Sequence, residues 1–234
     1  MNVAVMQPYI YPYLGYFQLI AACDTFVFYD DVFFIKRGWI NRNRILLNGT
    51  PFRFSVPCES GSYQKPICDV KVGYHAFDSD KLLSTFRHAY HSAPYFHDIF
   101  PLIEKNFTTH FDSIAEMAIS GILDVLEYLK IDKAIKMASK ENYNNQGLSR
   151  AQRLADITDK ENGTCYINAE GGKSLYHQEQ FSSFGVKLAF LGPELRPYRQ
   201  QSSSFVPGLS MIDLLMNCSR SDVKKQLNNY TLSD

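Results

Sequence analysis

Four cations, two amides and the only Trp of the chain fall within nine residues, Lys36-Arg37-Gly38-Trp39-Ile40-Asn41-Arg42-Asn43-Arg44. Arginine forks and a lysine ammonium match phosphate oxygens, Trp39 offers a flat face to a base or a sugar, and Asn41 and Asn43 can orient hydroxyls. A sugar nucleotide would use all of these. Just upstream stand Asp30-Asp31, two carboxylates that could hold a divalent metal on a diphosphate. A plainer reading is a solvated basic loop paired to those two aspartates.

A second group lies in Met6-Gln7-Pro8-Tyr9-Ile10-Tyr11-Pro12-Tyr13-Leu14-Gly15-Tyr16-Phe17-Gln18-Leu19-Ile20, where an apolar run gives way to helical spacing. A helix N-terminus presents free backbone N–H groups to an anion, and Gly15 would permit close backbone approach. Gln7, Tyr9, Tyr13, Tyr16 and Gln18 could line the same opening, or the prolines could shape the turn and the tyrosines pack beneath it. A third group is Asn168 with Gly171-Gly172 and Tyr176, a strand end, a glycine turn and a helix start. Its alternative is a tight turn with no ligand. For a general base the sequence offers Asp31, His75, His88 and His91 without choosing among them. His88, His91, His97 and Asp98 cluster, but their spacing does not establish closed metal geometry. Cys23 as an acyl-carrying nucleophile has no adjacent His to support it.

The elements that must hold these groups follow from periodicity. Val3 to Met6 and Thr25 to Tyr29 read as buried strands flanking a helix from Tyr13 to Cys23. Arg44 to Leu47 and Phe52 to Val56 flank Asn48-Gly49, a hairpin signal expected to extend the sheet. Glu59 to Lys65 reads as a loop and Ile67 to Val72 as a strand. Three helices are expected at Asp80 to His91, Pro94 to Asn106 and Asp112 to Leu129, and 76–130 could form a helical cap. Strands at Ala134 to Ala138, Cys165 to Asn168 and Val186 to Leu191 alternate with helices at Ser149 to Asp159 and Ser174 to Phe184, and helices at Leu209 to Asn217 and Ser221 to Asn228 close the chain. The expectation is one α/β domain over 1–234, with a mostly parallel sheet and helices on both faces.

Composition narrows the function. The 24 basic and 24 acidic residues cancel, so no global charge draws the chain to nucleic acid or an anionic membrane. No segment approaches the roughly 18 apolar residues of a spanning helix, and the start lacks a basic, then apolar, leader. Five scattered cysteines without a C-x-x-C pair fit reduced thiols, and a cytoplasmic location is expected. The 15 Tyr and 17 Phe suit a wet cleft or a core rim, and leave a homo-oligomer open.

The run Met6 to Ile20, Phe26-Val27-Phe28-Tyr29-Asp30-Asp31 and Lys36 to Arg44 resembles the WbqC-like family. The resemblance continues in Tyr166 to Tyr176, in Phe184-Gly185-Val186-Lys187-Leu188 and in Tyr198 through Asp213. Similar proteins occur among bacterial genes for O-antigen and other surface polysaccharides and are regarded as transferases acting on nucleotide-linked sugars. The resemblance supplies a pathway but no catalytic residue. The order of strand, Pro12-Tyr13-Leu14-Gly15-Tyr16 and helix also looks like the setting of the H-x-G-H signature in nucleotidylyltransferases, a fold that is expected here alongside the Rossmann-like one. Tyr13 and Tyr16 replace the histidines, which puts adenylyl transfer in doubt. Lys136-Met137-Ala138-Ser139-Lys140 is similar to the lysine loop of that superfamily, but coincidence at a strand end accounts better for so short a match. The function expected is acyl or aminoacyl transfer to the amine of a nucleotide-linked amino sugar, with no cofactor implied beyond that donor and no metal. Glycosyl or other nucleotide-dependent transfer, and a non-catalytic binding or scaffold subunit, are the alternatives.

Overall fold

A computed structural model describes all 234 residues of the chain. Strand β1 (Asn2–Met6) leads into helix α1 (Leu14–Ala22) and strand β2 (Thr25–Phe28). The hairpin β3 (Arg42–Leu47) and β4 (Thr50–Ser55) follows, then α2 (Ser79–Tyr90), α3 (Phe96–Thr108) and α4 (Ile114–Tyr128). Strand β5 (Ala134–Met137), α5 (Arg150–Lys160), β6 (Cys165–Ala169), the short α6 (Glu179–Ser182) and β7 (Lys187–Pro193) complete the α/β part. Helices α7 (Met211–Asn217) and α8 (Arg220–Leu227) and strand β8 (Tyr230–Ser233) end the chain.

The main sheet runs β5-β2-β1-β6-β7-β8. Its first five strands are parallel and β8 is antiparallel to β7. Alternate side chains face opposite layers, as a pleated strand requires. Ala4, Phe26, Phe28 and Ile167 enter the larger core with α1, α2, α3, α4, α7 and α8. Val3, Val5, Val27, Tyr166 and Leu188 enter a smaller core with α5 and α6. Helices therefore cover both faces, and both-face burial explains why these strands read as continuous apolar runs. In chain order the parallel strands sit 3-2-1-4-5, so the order reverses between β1 and β6. In open α/β sheets that reversal opens a crevice at the strands' carboxyl ends.

Side-chain caps fix where the helices start. Asp78 accepts from Lys81 N at 2.8 Å and Ser113 from Glu116 N at 3.1 Å. Ser149 and Gln152 close a reciprocal capping box on α5.

Three expectations are corrected. The hairpin forms, with Asn48 (φ 50°) and Gly49 (φ 74°) in its turn, but β3 and β4 make a separate two-stranded sheet. Phe54 packs against Phe86 with ring centroids 5.0 Å apart, which docks the hairpin on α2 rather than on a sheet edge. Ile67 to Val72 is no strand: Ile67–Asp69 is a 3-10 turn. Its N–H groups are already spent, Ile67 on Val32 O and Cys68 on Asp30 O, so no ladder can form. The helix expected from Ser174 shrinks to α6, because Gln178 accepts from Leu188 N and donates to Val186 O, turning the segment toward β7. Strand β8 has no counterpart in the sequence reading. No helix is long and apolar enough to cross a membrane.

Candidate functional site

The crevice between β1 and β6 gathers the second and third groups. Tyr16 donates its hydroxyl to Gln7 O at 3.1 Å, and Tyr9 packs edge-on against the Tyr16 ring at 5.3 Å. Burial raises the Tyr9, Tyr13 and Tyr16 hydroxyls above the ordinary tyrosine range, so these are neutral donors. The room that Gly15 provides is taken by the ring of Tyr13, whose atoms lie 2.5 Å from where a β-carbon would stand. A ligand at the first turn of α1 must therefore meet Tyr13. Across the crevice the Asn168 amide lies 2.3 Å from the would-be β-carbon of Gly172, so that glycine exists to admit Asn168. Asn168 Oδ1 accepts from Ala169 N at 2.8 Å. Gly171 has open space around it, and the Tyr176 ring borders Gly172. Gln18 belongs elsewhere: fully buried, it donates to Gln226 O and Asn229 O at 2.8 Å each and ties α1 to the C-terminal segment.

The basic loop rises beside this crevice. Arg44 O accepts from Ser210 N, and Ser210 bridges to Tyr13 just ahead of α1. The Arg44 guanidinium lies 5.5 Å from the Trp39 ring centroid and donates to Gly208 O at 3.2 Å. Trp39 is 49% exposed, a large apolar face left to solvent. Lys36 and Arg37 are also exposed, with Lys36 over the Tyr63 ring at 5.2 Å, and Arg42 Nε is without a partner. The two asparagines are anchors. Asn43 donates to Ile10 O at 2.9 Å and to Tyr11 O, and Asn41 donates to Val56 O at 2.7 Å while its Oδ1 is unpartnered.

Asp30 and Asp31 diverge. Asp30, 2% exposed, accepts from Ser139 N at 2.8 Å and from Ser139 Oγ at 2.5 Å beyond β5. Burial raises its carboxyl above the ordinary range, against the pull of those two bonds. Asp31 Oδ2 pairs with Arg153 of α5 at 2.6 Å, on the other side of the sheet, and its Oδ1 is buried without a partner. The two carboxylates do not face a common point. Among the histidines, His75, His88 and His91 are all exposed, with His91 Nδ1 set 3.3 Å from His88 O on α2. Burial pushes the thiols of Cys23, Cys58 and Cys68 up to about 12, which disfavours the thiolate a nucleophile needs.

Two features escaped the sequence reading. Arg150 and Arg153 open α5 at the carboxyl rim of the sheet. Arg153 lies over the Tyr29 ring at 5.0 Å, and Arg150 is near enough to Tyr29 and Tyr176 to oppose the rise that burial gives their hydroxyls. The capping pair Ser149 and Gln152 was the signal that would have placed them. The other is a cavity of about 550 Å³ between α4 and the ends of β2 and β5, reached by Asp30, Ser139, Lys140, Glu116, Ser120 and Asp124. These positions share no motif.

A protein of Mycobacterium tuberculosis, the uncharacterized protein Rv1507c, is 26% identical over 225 residues, covering 92% of this chain and 93% of its own length. No solved structure matches the chain. The model of the WbqC-like protein family matches residues 7–225, from the turn after β1 into α8, and the chain belongs to that family.

Proposed function

We propose that this protein transfers an acyl or aminoacyl group to the amine of a nucleotide-linked amino sugar in the assembly of a bacterial surface polysaccharide. The observation that carries the reading is the pairing of the half-buried Arg44 with the exposed Trp39 ring, tied through Ser210 to the start of α1. An aromatic face under a guanidinium suits a base above a diphosphate. Lys36, Arg37, Arg42 and Arg44 hold the diphosphate, Trp39 stacks on the base, and Asn168 reads sugar hydroxyls. Asn43 acts as the anchor that keeps this loop in place. Within the doubly wound folds, the 3-2-1-4-5 strand order supports a nucleotidylyltransferase-like or Rossmann-like arrangement, with the helices of 76–130 as its cap.

In the transfer the amine nitrogen bonds to the acyl carbon, the bond from that carbon to the donor's leaving group breaks, and a base takes the nitrogen's proton. Asp31, or a histidine from His75, His88 and His91, supplies the base. A metal-held diphosphate at Asp30 and Asp31 is disfavoured by the divergence of the two side chains.

The test is to incubate the purified protein with nucleotide-linked amino sugars and activated acyl donors and to read product masses. A mass gain equal to the acyl group is expected. Tight nucleotide-sugar binding with no product from any donor would instead make this a binding subunit of the pathway.

A further inference from the structure

We propose that the loop from Phe33 to Trp39 docks this protein on the surface of an anionic lipid bilayer, with Phe33 and Ile35 at the headgroup boundary and the cations around them meeting the lipid charge. The inference goes beyond the nucleotide reading and does not rest on it.

Phe33 and Ile35 are 65% and 52% exposed, and of residues 33–39 only Phe34 is buried. The segment projects from the fold and lines no groove. Phe34 roots it: the side chain joins the larger core, and the N–H donates to Lys65 O at 3.0 Å. Phe33 bridges to Pro66, and Ile67 N donates to Val32 O at 2.9 Å, so the stretch from Tyr63 to Ile67 backs the loop. Large apolar side chains held outward on a hydrogen-bonded segment mark an interaction surface.

The tip is a turn closed by Gly38 N on Ile35 O at 3.0 Å. Its third residue, Arg37, stands at φ 64°, where glycine or asparagine would sit with less strain. The fold thus bears a backbone cost to carry a guanidinium at this point. Lys36 and Arg37 are exposed there, Lys65 is exposed on the backing stretch, and Lys36 lies over the ring of the half-exposed Tyr63 at 5.2 Å. Against these three cations, residues 32–39 and 59–67 carry Glu59 as their one carboxylate.

The chain as a whole has no net charge, so the attraction is local. Charge and shape together select the occupant. A second copy seated by two-fold symmetry would bring these three cations toward the same three. An anionic bilayer instead offers negative charge outside and apolar depth beneath. Long cationic stems can keep their heads among the lipid phosphates while Phe33 and Ile35 lie deeper.

The experiment mixes the full chain with vesicles of phosphatidylcholine alone, or of equal parts phosphatidylcholine and phosphatidylglycerol. It reads cosedimentation together with the emission of Trp39, the only Trp of the chain. Binding to the anionic vesicles with a blue shift of that emission is expected, weaker by at least about 10-fold on the neutral vesicles and in about 1 M salt. Phe33→Ser and Ile35→Ser should each weaken it about 10-fold, the factor that one large apolar side chain carries. Lys65→Glu should weaken it about 5-fold or more. Circular dichroism checks that each variant keeps its fold, and sedimentation velocity without vesicles reads self-association. No binding to anionic vesicles, equal binding to neutral ones, or wild-type binding by the folded double variant Phe33→Ser with Ile35→Ser would overturn the proposal. So would a dimer that the double variant dissolves, in the absence of vesicle binding, because the loop would then be a contact between copies. The vesicles carry no nucleotide, and Phe33, Ile35 and Lys65 take no part in the diphosphate grip, so failure here and failure of nucleotide binding are separate results.

Discussion

Arg153 reaches from the first turn of α5 to Asp31 beyond β2, with Nη2 2.6 Å from Oδ2 and both side chains at least four-fifths buried. The pair pins one aspartate to the smaller core's side of the sheet while Ser139 holds its neighbour Asp30 on the other. Removing one partner of such a pair strands the other charge. Arg153→Met should lower the unfolding free energy by about 3 kcal/mol, and Arg153→Met with Asp31→Asn by less than the two single changes together. Denaturant titration of the three variants measures this. A loss under about 0.5 kcal/mol would mean that the pair behaves as a surface one.

Asn43 is the brace of the basic loop. It donates to Ile10 O, which has no other donor in the hydrogen-bond network, and to Tyr11 O, which Ser210 Oγ also reaches at 2.8 Å. Tyr11 itself stands at φ 41°, a backbone region that a bulky residue occupies only when its surroundings hold it there. Asn43→Ala should therefore cost about 1–3 kcal/mol, chiefly through the stranded Ile10 carbonyl. Thermal or denaturant unfolding reads the cost, and weaker nucleotide-sugar binding should accompany it because the loop loses its anchor.

Much of the scaffold was legible because burial leaves a simple record. Parallel strands covered on both faces are apolar without interruption, as in Phe26-Val27-Phe28, and Asn48-Gly49 announces its turn by backbone chemistry alone. What the turn could not announce was its docking partner, since Phe86 lies far along the chain. Ile67 to Val72 misled because apolar spacing says nothing about where N–H groups go, and here they go to Val32 and Asp30. The cavity was illegible for a related reason. Asp30 and Ser139 are 109 residues apart, and only the sheet brings β2 and β5 together.

Asp213 carries a pH signature. It is fully buried at the start of α7 and accepts from Tyr90 at 2.7 Å, Tyr198 at 2.6 Å and Gln200 at 2.9 Å. Burial raises its carboxyl above the ordinary 3.8, and the three donors oppose but do not cancel that rise. A raised value means that the folded chain keeps this proton where the unfolded chain has lost it. Its contribution to stability is thus greatest at and below 3.8 and declines as pH climbs through the raised value. The stability difference between wild type and Asp213→Asn should shrink from acid toward neutral pH. A difference that grows over the same range would reverse the sign assigned here.

The proposed function stands on the Lys36 to Arg44 loop gripping a nucleoside diphosphate sugar. Isothermal titration of the full chain with UDP- and dTDP-linked amino sugars, with and without magnesium, measures it most directly, alongside Arg42→Ala, Arg44→Ala and Trp39→Ala. Metal-independent binding of at least one such ligand is expected, weakened by about 1.5–3 kcal/mol in Arg42→Ala or Arg44→Ala, the worth of a charged hydrogen bond. Trp39→Ala should lose the contribution of the base, so that the nucleotide's identity matters less. Wild-type affinity in both arginine variants, or no binding of any nucleotide-linked sugar, would contradict it.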